Sequence, residues 1–151
     1  KIKKIIGRQI IDSRGNPTCE ADVILDNGII GRGAVPSGAS TGKLEALELR
    51  DNDLSSFSGK SVLNAVSNIN NDISNNIDDR YGYTQETFDQ FLIDLDGTRN
   101  KERLGANAIL ASSIAFANAN ALNSNIPLYQ SLTDDSSYML PIPMMNIING
   151  G

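Results

Sequence analysis

The sequence predicts an α+β fold, a three-stranded antiparallel meander followed by a helical bundle, and three observations predict it. Apolar and polar residues alternate with a period of two in the first third of the chain. After Pro36 the period lengthens to about 3.6 residues. Strands and helices fall in separate runs rather than alternating, which argues against a parallel sheet with crossover helices.

The elements follow in order. Ile2 to Ile11 is rich in isoleucine and stops at Asp12-Ser13-Arg14-Gly15-Asn16-Pro17, a dense cluster of turn formers. From Thr18 to Asp26, Cys19, Ala21, Val23 and Leu25 face one way and Thr18, Glu20 and Asp22 the other, as in a strand buried on one face. Asp26-Asn27-Gly28 supplies the positive φ of a hairpin turn, and Ile29 to Val35 completes the meander. Lys43 to Asp51 reads as a short helix. Ser61 to Ile77 places Val62, Val66, Ile69, Ile73 and Ile77 at steps of three and four, an amphipathic helix. Thr84 caps a third helix with Phe88, Phe91, Leu92 and Leu95 on its apolar stripe, and Asp96-Gly97 ends it. Gly105 to Leu122 is the most helical segment, with Leu110, Ile114, Ala117 and Ala121 on one face and alanines that let neighbouring helices approach; Ile126-Pro127 closes it. A new apolar segment begins at Tyr138, with Met144 to Ile148 expected as a buried strand. The domain boundary is expected in the polar stretch 133–137.

Composition removes several function classes. A chain of 151 residues holds one domain and a piece of another, and can form its core without disulfides or a structural metal. One cysteine, Cys19, leaves no internal disulfide and no cysteine-rich metal site. Histidine is absent, so Ser/His and Cys/His nucleophiles are excluded. The net charge of −5, with scattered Lys and Arg and no tryptophan, argues against nucleic-acid binding. No apolar run reaches the roughly 20 residues of a membrane span, and Lys1 to Gly7 lacks the apolar stretch of a secretory signal. A start without methionine and a stop at Asn149-Gly150-Gly151 read as a piece of a longer protein.

Two segments stand out chemically. Ser37-Gly38-Ala39-Ser40-Thr41-Gly42-Lys43 places hydroxyls between glycines, a composition that closes over an anion or offers a hard oxygen to magnesium, and that also makes an ordinary strand-to-helix connector. It is not a phosphate-binding P-loop, because Ser37 stands where the first glycine belongs and Leu44 follows Lys43. Asp12 to Thr18 reads as a tight turn on which the Arg14 guanidinium suits a bidentate carboxylate, within the chain or on another subunit. Asp51, Asp53, Asp78, Asp79, Asp94 and Asp96 read as caps and solvated surface.

Seven segments, in this order and spacing, resemble the enolase family: DSRGNPT (12–18), VPSGASTG (35–42), EALELRD (45–51), FLIDLDGT (91–98), KERLGANAIL (101–110), IPLY (126–129) and LPIPMMNIINGG (140–151). The resemblance implies an amino-terminal capping domain over residues 1–135 and the truncated start of a β/α barrel domain over 136–151. The implied activity is reversible dehydration of 2-phosphoglycerate to phosphoenolpyruvate in glycolysis and gluconeogenesis, by a cytoplasmic hydro-lyase. The resemblance further implies that two magnesium ions stabilise a doubly charged enediolate while a lysine removes the proton and a glutamate assists hydroxide departure. Those groups belong to the barrel domain in the family, so no catalytic residue is expected in this chain, which should be inactive alone. Ser40 matches the lid serine that ligates the second magnesium, with Gly38, Ala39 and Thr41 matching the rest of the lid. Arg8, Arg14 and Glu20 match subunit-contact positions of a homodimer or higher homo-oligomer. Lys43-Leu44 departs from the more polar pair usual after the lid. Competing readings are the capping domain of another enolase-superfamily enzyme and a non-catalytic surface or assembly-binding role.

Overall fold

The structure, a computed structural model, describes residues 1–38, 42, 44–78, 80, 82–135, 137–145 and 147. Its sheet consists of β1 (Ile2–Ile11), β2 (Pro17–Leu25) and β3 (Ile30–Val35) in the order β1-β2-β3, antiparallel throughout. The register sets Ile5 opposite Val23, Gly7 opposite Ala21, and Ala21 opposite Gly33. The β1–β2 turn is closed by Asp12, whose Oδ1 accepts from the N–H groups of Arg14 and Asn16, each at 2.9 Å.

Helices cover one face of this sheet. A continuous helical run opens as α1 (Leu63–Ser67), passes through a π-helical turn at Asn68–Ile73 and packs on β1. Next come α2 (Gln85–Asp96), α3 (Ala106–Ser124) and the short α4 (Leu128–Ser131). Thr84 caps α2 through a reciprocal pair with Thr87, and Gly97 ends it at φ 68°, as the sequence predicts. The core joins Ile5, Cys19, Ala21 and Val23 of the sheet to Ile69, Ile73, Phe88, Leu92 and Ala115 of the helices. The rings of Phe88 and Phe116 lie 4.5 Å apart and join α2 to α3. No barrel closes among the described residues.

The structure corrects four expectations. Residues 44–51 form no helix; after a turn at Leu44 they run as an irregular, bonded segment described below, and Lys43 lies outside the described residues. The buried face of α3 is Ala108, Ala111, Ala115, Phe116 and Ala119; of the expected face Ala121 is buried, whereas Leu110 is exposed and Ile114 and Ala117 are half-buried. The reason is that the alanines meet a sheet and not another helix. A Cβ on Gly31 would sit 2.6 Å from the Ala119 Cα, and one on Gly33 would sit 2.7 Å from the Ala115 nitrogen, so two glycines of β3 let the α3 backbone lie directly on the strand. The face of β2 away from the helices is not simply polar and wet: Thr18 and Asp22 are buried there. Finally, Met144, Met145 and Ile147 are exposed and in no strand, since no other strand lies alongside them among the described residues; Asn146 and Ile148 lie outside the described residues.

Candidate functional site

Both chemically distinctive segments come together where β3 ends. A cavity of about 300 Å³ is lined by Asp12 and Arg14 from the first turn and by Ser37, Gly38, Glu48 and Arg50 from either side of the glycine-rich loop. A second cavity, of about 530 Å³, continues past Ser37 and Gly38 to Gly42, Glu45 and the start of α3 at Ala106 and Asn107. Gly38 is exposed at this edge. Ala39, Ser40 and Thr41, the remaining expected loop residues, lie outside the described residues.

Arg50 organises the entry to the loop. One of its terminal nitrogens donates to the carbonyls of Pro17, at 2.6 Å, and Lys60. The other donates to the Ser37 hydroxyl and to Glu48 Oε1, the latter at 2.6 Å. Ser37 Oγ in turn donates to the same Glu48 oxygen at 2.7 Å. A guanidinium donates in fixed directions from several nitrogens, which is why an arginine serves this junction.

The exit is held by main-chain bonds. Leu47 N–H donates to the Asn100 carbonyl at 2.7 Å, and Ala106 N–H donates to the Leu47 carbonyl at 2.8 Å. Asn107 takes both polar groups of Leu49: its Oδ1 accepts from the N–H and its Nδ2 donates to the C=O. These non-local bonds satisfy the backbone of 47–49 that a helix would otherwise satisfy internally. Asp51 then accepts from the N–H groups of Leu63 and Asn64 and caps α1 from a distance. Leu44, just past the loop, is 99% exposed.

Of the expected subunit-contact residues, Arg8 and Glu20 lie elsewhere, on the sheet face away from the helices, whereas Arg14 on the first turn lines the smaller cavity. Arg8 pairs with Glu20 at 2.5 Å and also with Asp22. Arg32 grips Asp22 through Nε at 2.8 Å and Nη2 at 3.1 Å. The Arg32 hydrogen bonds, followed by those of Arg8, hold the Asp22 carboxyl below its ordinary range, and Asp22 and Glu20 in turn raise Arg8. Arg14 is exposed on its turn. Asp12 beside it is held low by the N–H of Asn16.

Of the six aspartates expected as caps and solvated surface, Asp79 lies outside the described residues and Asp96 is not surface. Asp96 is buried and accepts from Leu104 N–H at 2.8 Å and from Thr98 N–H at 2.9 Å. Burial alone would raise its pKa, yet the hydrogen bond from the Thr98 hydroxyl, followed by these two N–H groups, brings it below the ordinary value. The Cys19 thiol, buried under the helices, is pushed up to about 12 and is inert as a nucleophile. Among the described residues no three carboxylate, histidine or cysteine side chains gather to hold a metal ion, and no helix is long and apolar enough to cross a membrane. The described residues do not fit a metal centre by themselves.

A sequence model of the family described as "Enolase, N-terminal domain" matches residues 2–132. The chain belongs to the enolase family. It is also 56% identical over 150 residues to the enolase of Legionella pneumophila (strain Lens), an alignment covering 99% of this chain and 36% of that relative. The chain thus spans about a third of the length of the curated enolase it matches. The three-stranded antiparallel sheet followed by helices agrees with the enolase amino-terminal domain. Residue chemistry in the sequence singles out the loop, of which Ser37, Gly38 and Gly42 line the two cavities, and the Arg14 turn. It misses Arg50 and Asn107, whose signals, EALELRD and the GAN at the start of α3, show no partner until the chain folds.

Proposed function

We propose that this chain is the capping domain of an enolase that interconverts 2-phosphoglycerate and phosphoenolpyruvate in the cytoplasm, as part of glycolysis and gluconeogenesis. The observation that carries the reading is 56% identity to a protein named enolase along nearly the whole chain. On this reading residues 1–135 are the domain and 136–151 begin the barrel, a limit supported by the end of the family match at residue 132.

The loop of Gly38, Ala39, Ser40 and Thr41 is the active-site lid, and its ends are anchored beside two solvent-open cavities. Magnesium is the metal, and Ser40 offers it one hydroxyl oxygen, a hard ligand of the type that ion prefers. Asp51, Asp22 and Asp96 serve a cap, ion pairs and a buried turn, and no three carboxylates gather among the described residues, so the reading assigns the other metal ligands, the base and the acid to the rest of the protein. The chain alone is therefore inactive.

The open sheet face carrying Arg8 and Glu20, together with Arg14, is the contact of a homodimer or higher homo-oligomer. Its charges are already arranged on rigid strands, which favours a fixed subunit register. The test is formation of phosphoenolpyruvate from 2-phosphoglycerate by the purified full-length protein, followed by ultraviolet absorbance; absence of product with added magnesium would overturn the reading.

A further inference from the structure

We infer that Arg50 is a positioning residue for the loop that leaves β3 at Ser37 and returns at Glu48, an inference resting on the lid reading above. Arg50, Ser37 and Glu48 form a closed triangle of hydrogen bonds, and Ser37 and Glu48 stand eleven residues apart at the loop's entry and exit. The same guanidinium is fixed to the framework through the carbonyls of Pro17, at the start of β2, and Lys60. One side chain therefore refers both loop ends to the sheet.

The two ends depend on it unequally. The exit has its own ties, through Leu47 to Asn100 and Leu49 to Asn107. At the entry, the Val35 carbonyl accepts from Thr18 Oγ1, and beyond it the chain is held through the Ser37 hydroxyl. Losing the fork of Arg50 leaves the Ser37 hydroxyl with only its bond to Glu48, while the exit keeps its own ties. A lysine retains the charge but not the planar set of donors needed to serve Ser37, Glu48 and two carbonyls together. The triangle is half-buried, and Ser37 stands directly before Gly38 of the loop, so a change at Arg50 is passed to the loop through Ser37.

A double-mutant comparison in the full-length protein separates positioning from general stability. Arg50→Lys, Ser40→Ala and the pair are assayed with 2-phosphoglycerate. Arg50→Lys should lower kcat about tenfold when Ser40 is present, the scale of a small misplacement of a group that must be oriented. With Ser40→Ala already in place it should lower kcat by less than about twofold. As a second readout, trypsin should cleave after Lys43 faster in Arg50→Lys than in the parent when substrate is absent. Ser37→Ala removes one hydroxyl of the triangle and carries the same test should Arg50→Lys not accumulate as folded protein. Equal losses in both backgrounds, unchanged kcat, or unchanged cleavage at Lys43 would overturn the inference. Unchanged kcat in Ser40→Ala would instead overturn the lid reading, and the inference with it.

Discussion

The side-chain amide of Asn107 holds the backbone of Leu49 at both ends, its Nδ2 donating to the carbonyl at 3.0 Å and its Oδ1 accepting from the N–H at 3.1 Å. Asn107 is itself buried at the start of α3, so this pair ties the loop exit to the helix that carries the core. Asn107→Leu keeps the size but leaves both groups of Leu49 unpaired. It should destabilise the protein by about 2–3 kcal/mol, as for two hydrogen bonds lost at a part-buried site. Denaturant unfolding of the two proteins checks this; equal midpoints would show that the Leu49 groups find other partners.

The contact between β3 and α3 gives a second prediction. Gly33→Ala puts a methyl against the backbone of Ala111 and Ala115, atoms that cannot rotate away. The cost should be about 3 kcal/mol, at the upper end for overpacking. Gly82→Ala meets nothing within 4 Å and should change stability by less than about 0.5 kcal/mol. Thermal melting of both variants compares them directly.

Asp96 predicts an acid dependence. Its folded pKa lies below the ordinary 3.8, so the unfolded chain binds the proton more readily. The stabilisation is fully present above the ordinary value and is lost as pH falls through the depressed one. Asp96→Asn should be clearly less stable than the parent at pH 7, and the gap should narrow below about pH 4. A gap that stays constant down to pH 2 would show that the carboxylate's charge contributes nothing.

Arg14 tests the subunit contact. It is exposed on a turn fixed by Asp12 and Gly15, where a charge can be reversed without disturbing the core. Arg14→Glu in the full-length protein should weaken self-association and make it more salt-sensitive. An unchanged sedimentation profile at micromolar concentration counts against the assignment.

Much of this was legible in the sequence because it is local. Strand alternation in β2, the Asp12 and Asn27 turns, the Thr84 cap and the Gly97 stop all depend on neighbours within a few residues. What escaped is non-local. The 44–51 segment has helix-forming residues, yet its backbone is satisfied by Asn100, Ala106 and Asn107, which lie some fifty or more residues away. The face of α3 was misassigned because alanine, the better contact for a glycine-bearing strand, is a weaker hydrophobic signal than leucine. Asp22 looked like surface because the arginines that allow its burial sit on two other strands. At the site, residue chemistry singled out the Gly38–Thr41 loop, but the Arg50 anchor needed the fold to bring Pro17, Ser37 and Lys60 together.

The loop carried by this domain is proposed to take part in the dehydration of 2-phosphoglycerate. The direct measurement is kcat of full-length Ser40→Ala against the parent across a magnesium titration, with the melting temperature of each protein as a check on folding. Loss of one electrostatic stabiliser of a developing anion is worth about 3 kcal/mol, so kcat should fall about a hundredfold while the ligand-free melting temperature barely moves. Overlapping kcat curves for the two proteins would contradict the claim and leave the loop a connector between β3 and the segment that Arg50 holds.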